Sequence, residues 1–176
     1  MYFRLEINSN VNSDVMQLSE FSLSIQDVDD MDYAFLPTDG TQRADGQDQY
    51  LNLFNNNSQN YWYCPGSYKQ NGVWFVEFHS YRPVTPVGYK LYSSSLSQND
   101  YRRHPKNWKL YGKQKASDEW TVIDEQSGQD LPHSAYVAKS YAISNPREYQ
   151  YFRYEVSEVN GASELILGGF EFIYDD

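Results

Sequence analysis

Tyr151-Phe152-Arg153-Tyr154-Glu155-Val156 alternates in side-chain character: Phe152, Tyr154 and Val156 lie on one side, Arg153 and Glu155 on the other. A period of two is that of a strand with one buried face and one solvated face. Working outward, the same pattern recurs in short runs at 3–7, 21–25, 73–78, 87–92, 108–110, 120–123 and 165–174, bounded by Gly, Pro, Asn and Ser. No stretch carries apolar residues at i, i+3, i+4 and i+7 for long enough to predict a packed helix. The longest polar interval, 27–60, reads as a long loop with one short helical turn. Many short strands separated by loops predict an all-β sandwich or barrel.

The opening stretch also has a copy. Tyr2-Phe3-Arg4-Leu5-Glu6-Ile7 lies on Tyr151–Val156 without a gap, and the same register sets Leu18 on Leu167 and Phe21 on Phe170. Two readings stay open: paired, pseudo-symmetric strands within one sandwich, or the tail of a preceding copy. The spacing is close to one domain length, which favours the second. The chain therefore divides into an N-terminal strand pair at 1–26 and a principal domain at 27–176, and it looks like a piece of a larger multidomain protein.

Composition narrows the function. The 176 residues hold 14 Lys+Arg against 24 Asp+Glu, a formal net charge of −10 with pI near 4.6. Such a molecule repels phosphate backbones and anionic lipid, so no nucleic-acid partner is expected. No apolar run approaches the roughly 20 residues of a membrane span, and no membrane insertion is expected. The chain is rich in 17 Tyr and 4 Trp, side chains that fill cores and also form rigid contact surfaces. Cys64 is the single cysteine, so it has no internal disulfide partner and cannot form a C-x-x-C zinc site.

Catalytic signatures are missing. There is no Gly-x-Ser-x-Gly elbow, no His-Glu-x-x-His, no phosphate-cradling glycine loop and no dinucleotide fingerprint, and nothing local links Cys64 to His79, His104 or His133. The carboxylates Glu77, Asp124 and Glu125 do not define a glycosidase pair. The cluster Asp27, Asp29, Asp30 and Asp32 fails the calcium-loop pattern, with Met31 at a ligand position and Asp32 where the turn needs glycine. The chain reads as a non-enzyme.

Several motifs, taken together and in order, carry a family resemblance. These are Trp74-Phe75-Val76-Glu77-Phe78, Pro86-Val87-Gly88-Tyr89-Lys90-Leu91, and Asn99-Asp100-Tyr101-Arg102-Arg103-His104-Pro105-Lys106-Asn107-Trp108-Lys109-Leu110-Tyr111-Gly112. Trp120-Thr121-Val122-Ile123-Asp124, Asn145-Pro146 and the 151–155 stretch continue the pattern downstream, and Leu53 to Cys64 resembles the turn that leads to a Trp-Cys pair. The set resembles the F5/8 type C, or discoidin, domains, above all the bacterial carbohydrate-binding modules attached to glycoside hydrolases. That resemblance implies an antiparallel jelly-roll β-sandwich of the galactose-binding type. It also implies a non-catalytic module that targets a secreted or cell-surface protein to a glycan or glycoprotein, in an extracellular or cell-surface location. The rival readings are a protein-interaction or adhesion module on the same fold, and an architectural domain packed against a catalytic neighbour.

Trp108, Leu110, Trp120, Val122, Phe152 and Tyr154 occupy alternate strand positions and are expected in the core. Arg103 is expected to pin its loop through an acid such as Asp100. Ligand contact is expected from the loops at 63–71, 93–104 and 132–141. Tyr68, His104, His133 and Tyr136 lie outside the alternating runs and can expose a ring, while Asn99, Arg102 and Lys139 supply donors and acceptors for hydroxyls. The family's structural cation uses an Asp in the turn before the Trp and a Glu close to the final strand. Here those positions hold Asn55 and Gly169, so the resemblance implies no cofactor and at most weak calcium binding near Asn55.

Overall fold

The computed structural model describes residues 35–43, 49–94 and 101–175. The whole of the 1–26 strand pair with its runs at 3–7 and 21–25, the acidic cluster at 27–32, and Asn99 with Asp100 lie outside the described residues. The described residues form ten strands: β1 (Phe35–Gly40), β2 (Trp62–Pro65), β3 (Trp74–Val84), β4 (Gly88–Tyr92), β5 (Pro105–Lys113), β6 (Thr121–Gln126), β7 (Ala138–Ala142), β8 (Tyr149–Val159), β9 (Glu164–Leu167) and β10 (Gly169–Ile173). One sheet runs β1-β3-β8-β5-β6, a second runs β10-β4-β7, and β2 pairs with β9. All these pairings are antiparallel. The two larger sheets pack through aromatic rings, with Phe78 of β3 5.4 Å from Phe170 and Phe152 of β8 4.7 Å from Phe172 of β10. The molecule is an antiparallel β-sandwich.

Each alternating run within the described residues contains a strand, but 165–174 is two strands rather than one. At Gly168 the chain leaves β2 and joins β4: its N–H donates to the Tyr92 carbonyl at 2.8 Å, and a Cβ there would collide with the Ser93 carbonyl oxygen. Only glycine lets the backbones approach so closely. Three strands were invisible to alternation. β1 falls inside the interval read as a loop; it holds Pro37 at the sheet's outer strand, beside a bulge between Pro37 and Asp39, where a missing N–H is tolerated. β2 is four residues long, and β7 buries only Tyr141. The short helical turn is a 3₁₀ segment, Tyr50–Phe54.

The core includes Trp62, Trp74, Trp108, Phe78, Phe152 and Tyr154, all nearly inaccessible. Trp120 and Val122 are not in it, contrary to expectation: Val122 is 46% exposed. Val122 sits on β6, the outer strand of its sheet, and Trp120, one residue before that strand, is covered by the Lys113 ammonium 4.3 Å above its ring. Deeper, the Trp108 indole donates to the Tyr89 hydroxyl at 2.8 Å, and that hydroxyl donates to Asp124 at 2.5 Å. Burial first, and then the bond to the Asp124 carboxylate, push the Tyr89 phenol far above its ordinary value. Tyr89 is thus a fixed neutral link between the sheets.

Cys64 is fully buried, and burial pushes its thiol up to about 11. Because the thiolate is the nucleophile, native protein at pH 8 is expected to resist iodoacetamide and to label readily in denaturant. Rapid labelling of native protein, followed by mass spectrometry, would show that the β2–β9 pair opens.

Candidate functional loops and groove

Strand order gathers the loops at one end of the sandwich. β3 and β5 begin there, β6 and β8 end there, and the backbone connects the loops in sequence around the rim. Gly66 N donates to Ser163 O at 2.8 Å, Ala162 N to Arg102 O at 3.1 Å, Asn160 N to His104 O at 3.1 Å and Gln129 N to Lys106 O at 3.0 Å. Ser93 N donates to Val137 O at 3.1 Å and completes the connection.

His133 and Lys139 meet at Asp130 on this rim, and Tyr101, the chain neighbour of Arg102, joins them through its ring. The His133 ring stacks on the exposed ring of Tyr101, centroids 4.4 Å apart and planes 23° apart, and its Nε2 lies 2.9 Å from the Asp130 carboxylate. The Lys139 ammonium donates to Gln129 Oε1 at 3.0 Å and to the Asp130 carbonyl at 2.9 Å. Arg102 donates to the Gly161 carbonyl at 2.9 Å while its side chain stays exposed. The result is a solvent-facing aromatic plate bordered by a carboxylate and an ammonium, with the Arg102 guanidinium held on the neighbouring 161 loop. A plate with polar groups at its edge presents an apolar face and directed hydrogen bonds to the same ligand.

His104 departs from expectation. It is 2% exposed and sits beneath the rim, its carbonyl accepting from Asn160, so it supports the loops and has no ring to offer a ligand. The proline that follows starts β5 and draws His104 inward. Arg103 pairs with Glu164 at 3.2 Å and pins its loop through that acid. Tyr68 is 39% exposed on the 3₁₀ turn Gly66–Tyr68. Asn99 lies outside the described residues. Tyr101 and Asp130 were missed in sequence because one tyrosine among 17 and one acid among 24 carry no local mark of a site.

Tyr136 lies elsewhere, in a groove of about 500 Å³ along β10, lined among others by Phe54, Asn56, Tyr92, Gly169 and Glu171. Its ring stacks on Tyr92 at 4.8 Å, and its backbone has φ of 52°. For a residue with a bulky side chain this left-handed conformation costs about 1–2 kcal/mol. Tyr92 donates its hydroxyl to Glu171 at 2.6 Å, and Lys90 donates to the other carboxylate oxygen at 2.9 Å. Burial pushes the Glu171 carboxyl up, but these two hydrogen bonds and the Lys90 charge outweigh it and hold the carboxyl below its ordinary value.

The turn before Trp62 does not fit the family's cation. Asn55 Oδ1 accepts from Asn57 N at 3.0 Å and its amide donates to Asn52 at 3.2 Å, so the side chain is engaged within the turn. Among the described residues no group of three or more His, Cys, Asp or Glu side chains is placed to hold a metal ion. Micromolar free calcium is expected to leave the melting temperature unchanged; a rise of several degrees would reveal a native-state site.

No family model matches the sequence. A peptide-N(4)-(N-acetyl-β-glucosaminyl)asparagine amidase of Arabidopsis thaliana is 32% identical over 106 residues, which cover 57% of this chain and 14% of the plant protein. Solved structures align over most of the chain. A family 32 carbohydrate-binding module of Clostridium perfringens in complex with GalNAc-β-1,3-galactose superposes with TM-score 0.63 at 9% identity, covering 80% of this chain and 96% of the module. The family 32 module of Streptococcus pneumoniae EndoD gives TM-score 0.63 at 18% identity, covering 83% and 99%. An F5/8 type C domain of Bacteroides fragilis gives 0.63 at 14%, covering 79% and 90%. With its two packed antiparallel sheets and loops gathered at one end, this chain has the fold of the F5/8 type C domains and family 32 carbohydrate-binding modules.

Proposed function

We propose that the domain is a non-catalytic glycan-binding module that seats a sugar on the His133–Tyr101 plate. The observation that carries the reading is this stacked, exposed pair beside Asp130 and Lys139, with Arg102 next to Tyr101 in the chain, on a fold shared with carbohydrate-binding modules. A pyranose places its C–H face on the ring, while the carboxylate accepts and the cations donate to its hydroxyls. Tyr68, on a loop of the same end, extends the contact, and Asn99 is assigned a further hydroxyl-binding role on its chemistry alone. The Arabidopsis protein's name points to N-acetylglucosamine linked to asparagine, so N-linked glycan on glycoprotein is the first ligand to test. The module serves to target a larger extracellular or cell-surface protein, and residues 1–26 are read as the tail of a preceding copy in that chain. No helix among the described residues is long and apolar enough to cross a membrane.

A glycan array with the domain is expected to show retention, and Tyr101→Ala or His133→Ala to weaken it by about 1–3 kcal/mol with the fold intact. Tyr68→Ala is expected to have a smaller effect. Retention unchanged in both plate variants would move the site elsewhere. No retention by wild type across a broad array would favour the protein-interaction reading, which needs a patch of roughly 800 Å² per partner.

A further inference from the structure

We infer that the groove along β10 is a second sugar site, taking one neutral hexopyranose against Tyr136 and Tyr92 with hydroxyls directed to Glu171 and Asn56. The inference rests on the glycan-binding reading of the fold but uses residues separate from the His133 plate. The groove's volume, about 500 Å³, falls within the roughly 300–1,000 Å³ of small-molecule sites. Its two tyrosine rings are stacked at 4.8 Å, and a Cβ at Gly169 would come 3.3 Å from the Tyr92 ring and 3.4 Å from the Tyr136 hydroxyl, so glycine lets both tyrosines close down on β10 and form the groove wall.

Backbone conformation supplies an independent sign. Three non-glycine residues have positive φ among the described residues, and two of them, Asn56 and Tyr136, line this groove. A tyrosine held in a disfavoured conformation, on the wall of a cavity, is the kind of outlier from which function is inferred. The charge pattern selects the ligand class. Glu171 is already matched by Lys90 at 2.9 Å, so the groove offers a compensated carboxylate, which accepts neutral hydroxyls and has no unmatched charge to draw a cation. The aromatic rings supply the apolar face that a pyranose covers.

The sites can be separated by following backbone amides of isotope-labelled protein by NMR during titration with methyl galactoside, methyl N-acetylgalactosaminide and methyl N-acetylglucosaminide. At least one of these is expected to shift the amides of Gly169, Glu171 and Tyr136 in wild type and equally in Tyr101→Ala. Tyr136→Ala and Glu171→Gln, two variants so that one folding failure is not decisive, are expected to weaken that response roughly tenfold while the His133 amide still responds. Groove shifts that vanish in Tyr101→Ala, or that survive both groove variants, would overturn the second site and leave the plate standing. Groove shifts with no response at His133 would overturn the plate and leave the groove standing. No shift with any of the three glycosides would overturn the groove site.

Discussion

Replacing Trp108 with alanine is expected to destabilise the domain by about 3–5 kcal/mol, the range for removing a large buried aromatic. Such a loss is a large part of the 5–15 kcal/mol that holds a typical domain together, and at this size it corresponds to a fall of roughly 6–20 °C in Tm. Trp108 is 1% exposed and crosses Tyr141 edge-on at 5.0 Å, so its removal leaves a hole between the sheets. It also deprives the Tyr89 hydroxyl of its donor. Trp108→Phe separates the two contributions, because it keeps a ring and loses the indole N–H; a cost of about 1–3 kcal/mol is expected. If chemical denaturation showed the two variants equally damaged, the polar link would outweigh the packing. If Trp108→Ala cost less than about 1 kcal/mol, the site would have to collapse around the gap.

Phe78→Ala is expected to cost a similar 3–5 kcal/mol, through loss of a node rather than a link. The Phe78 ring is 4.7 Å from Phe54, 5.5 Å from both Phe35 and Phe152, 5.4 Å from Phe170 and 6.0 Å from Phe172. One side chain of β3 therefore joins β1, the 3₁₀ turn, β8 and β10. Phe54 and Phe170 also line the groove, so the variant is expected to loosen the groove together with the core. Phe78→Leu, which keeps more of the volume, should lose markedly less. Near-ultraviolet circular dichroism reports ring packing directly, and an unchanged aromatic spectrum in Phe78→Ala would contradict the node.

The sandwich was legible because its inner strands alternate cleanly. In β8, Phe152, Tyr154 and Val156 are all buried, as the opening stretch implies. Alternation weakens where a strand has only one neighbour: β1 contains a proline and a bulge, and β7 buries a single ring, so neither announces itself. The same limit explains Trp120 and Val122, which alternate like core residues but lie just before and on the outer strand β6. The loops were legible as a set and less so as individuals. His133 and Lys139 are brought to Asp130, Arg102 is held on Gly161, and His104 lies buried beneath the rim, because exposure of a loop side chain depends on tertiary context. Tyr92 and Glu171 were hidden because they occupy the outward positions of ordinary strands. Their meeting depends on the pairing of Gly169 with Tyr92, which no local pattern encodes.

The placement of the last three strands governs when the domain can exist during synthesis. β8 lies between β3 and β5, β9 pairs with β2, and β10 pairs with β4. A ribosome that has delivered everything up to residue 148 has therefore released strands whose partners are still inside it. β3 and β5 wait as open edges, and neither sheet can close around the aromatic cluster. Folding of this unit must therefore wait until its last three strands have emerged, and it then proceeds with the slow, non-local pairing typical of β-sandwiches, about milliseconds to seconds. During that interval the exposed strands are sites for pairing with other chains, so chaperone demand at synthesis is expected to exceed what the finished molecule's stability implies.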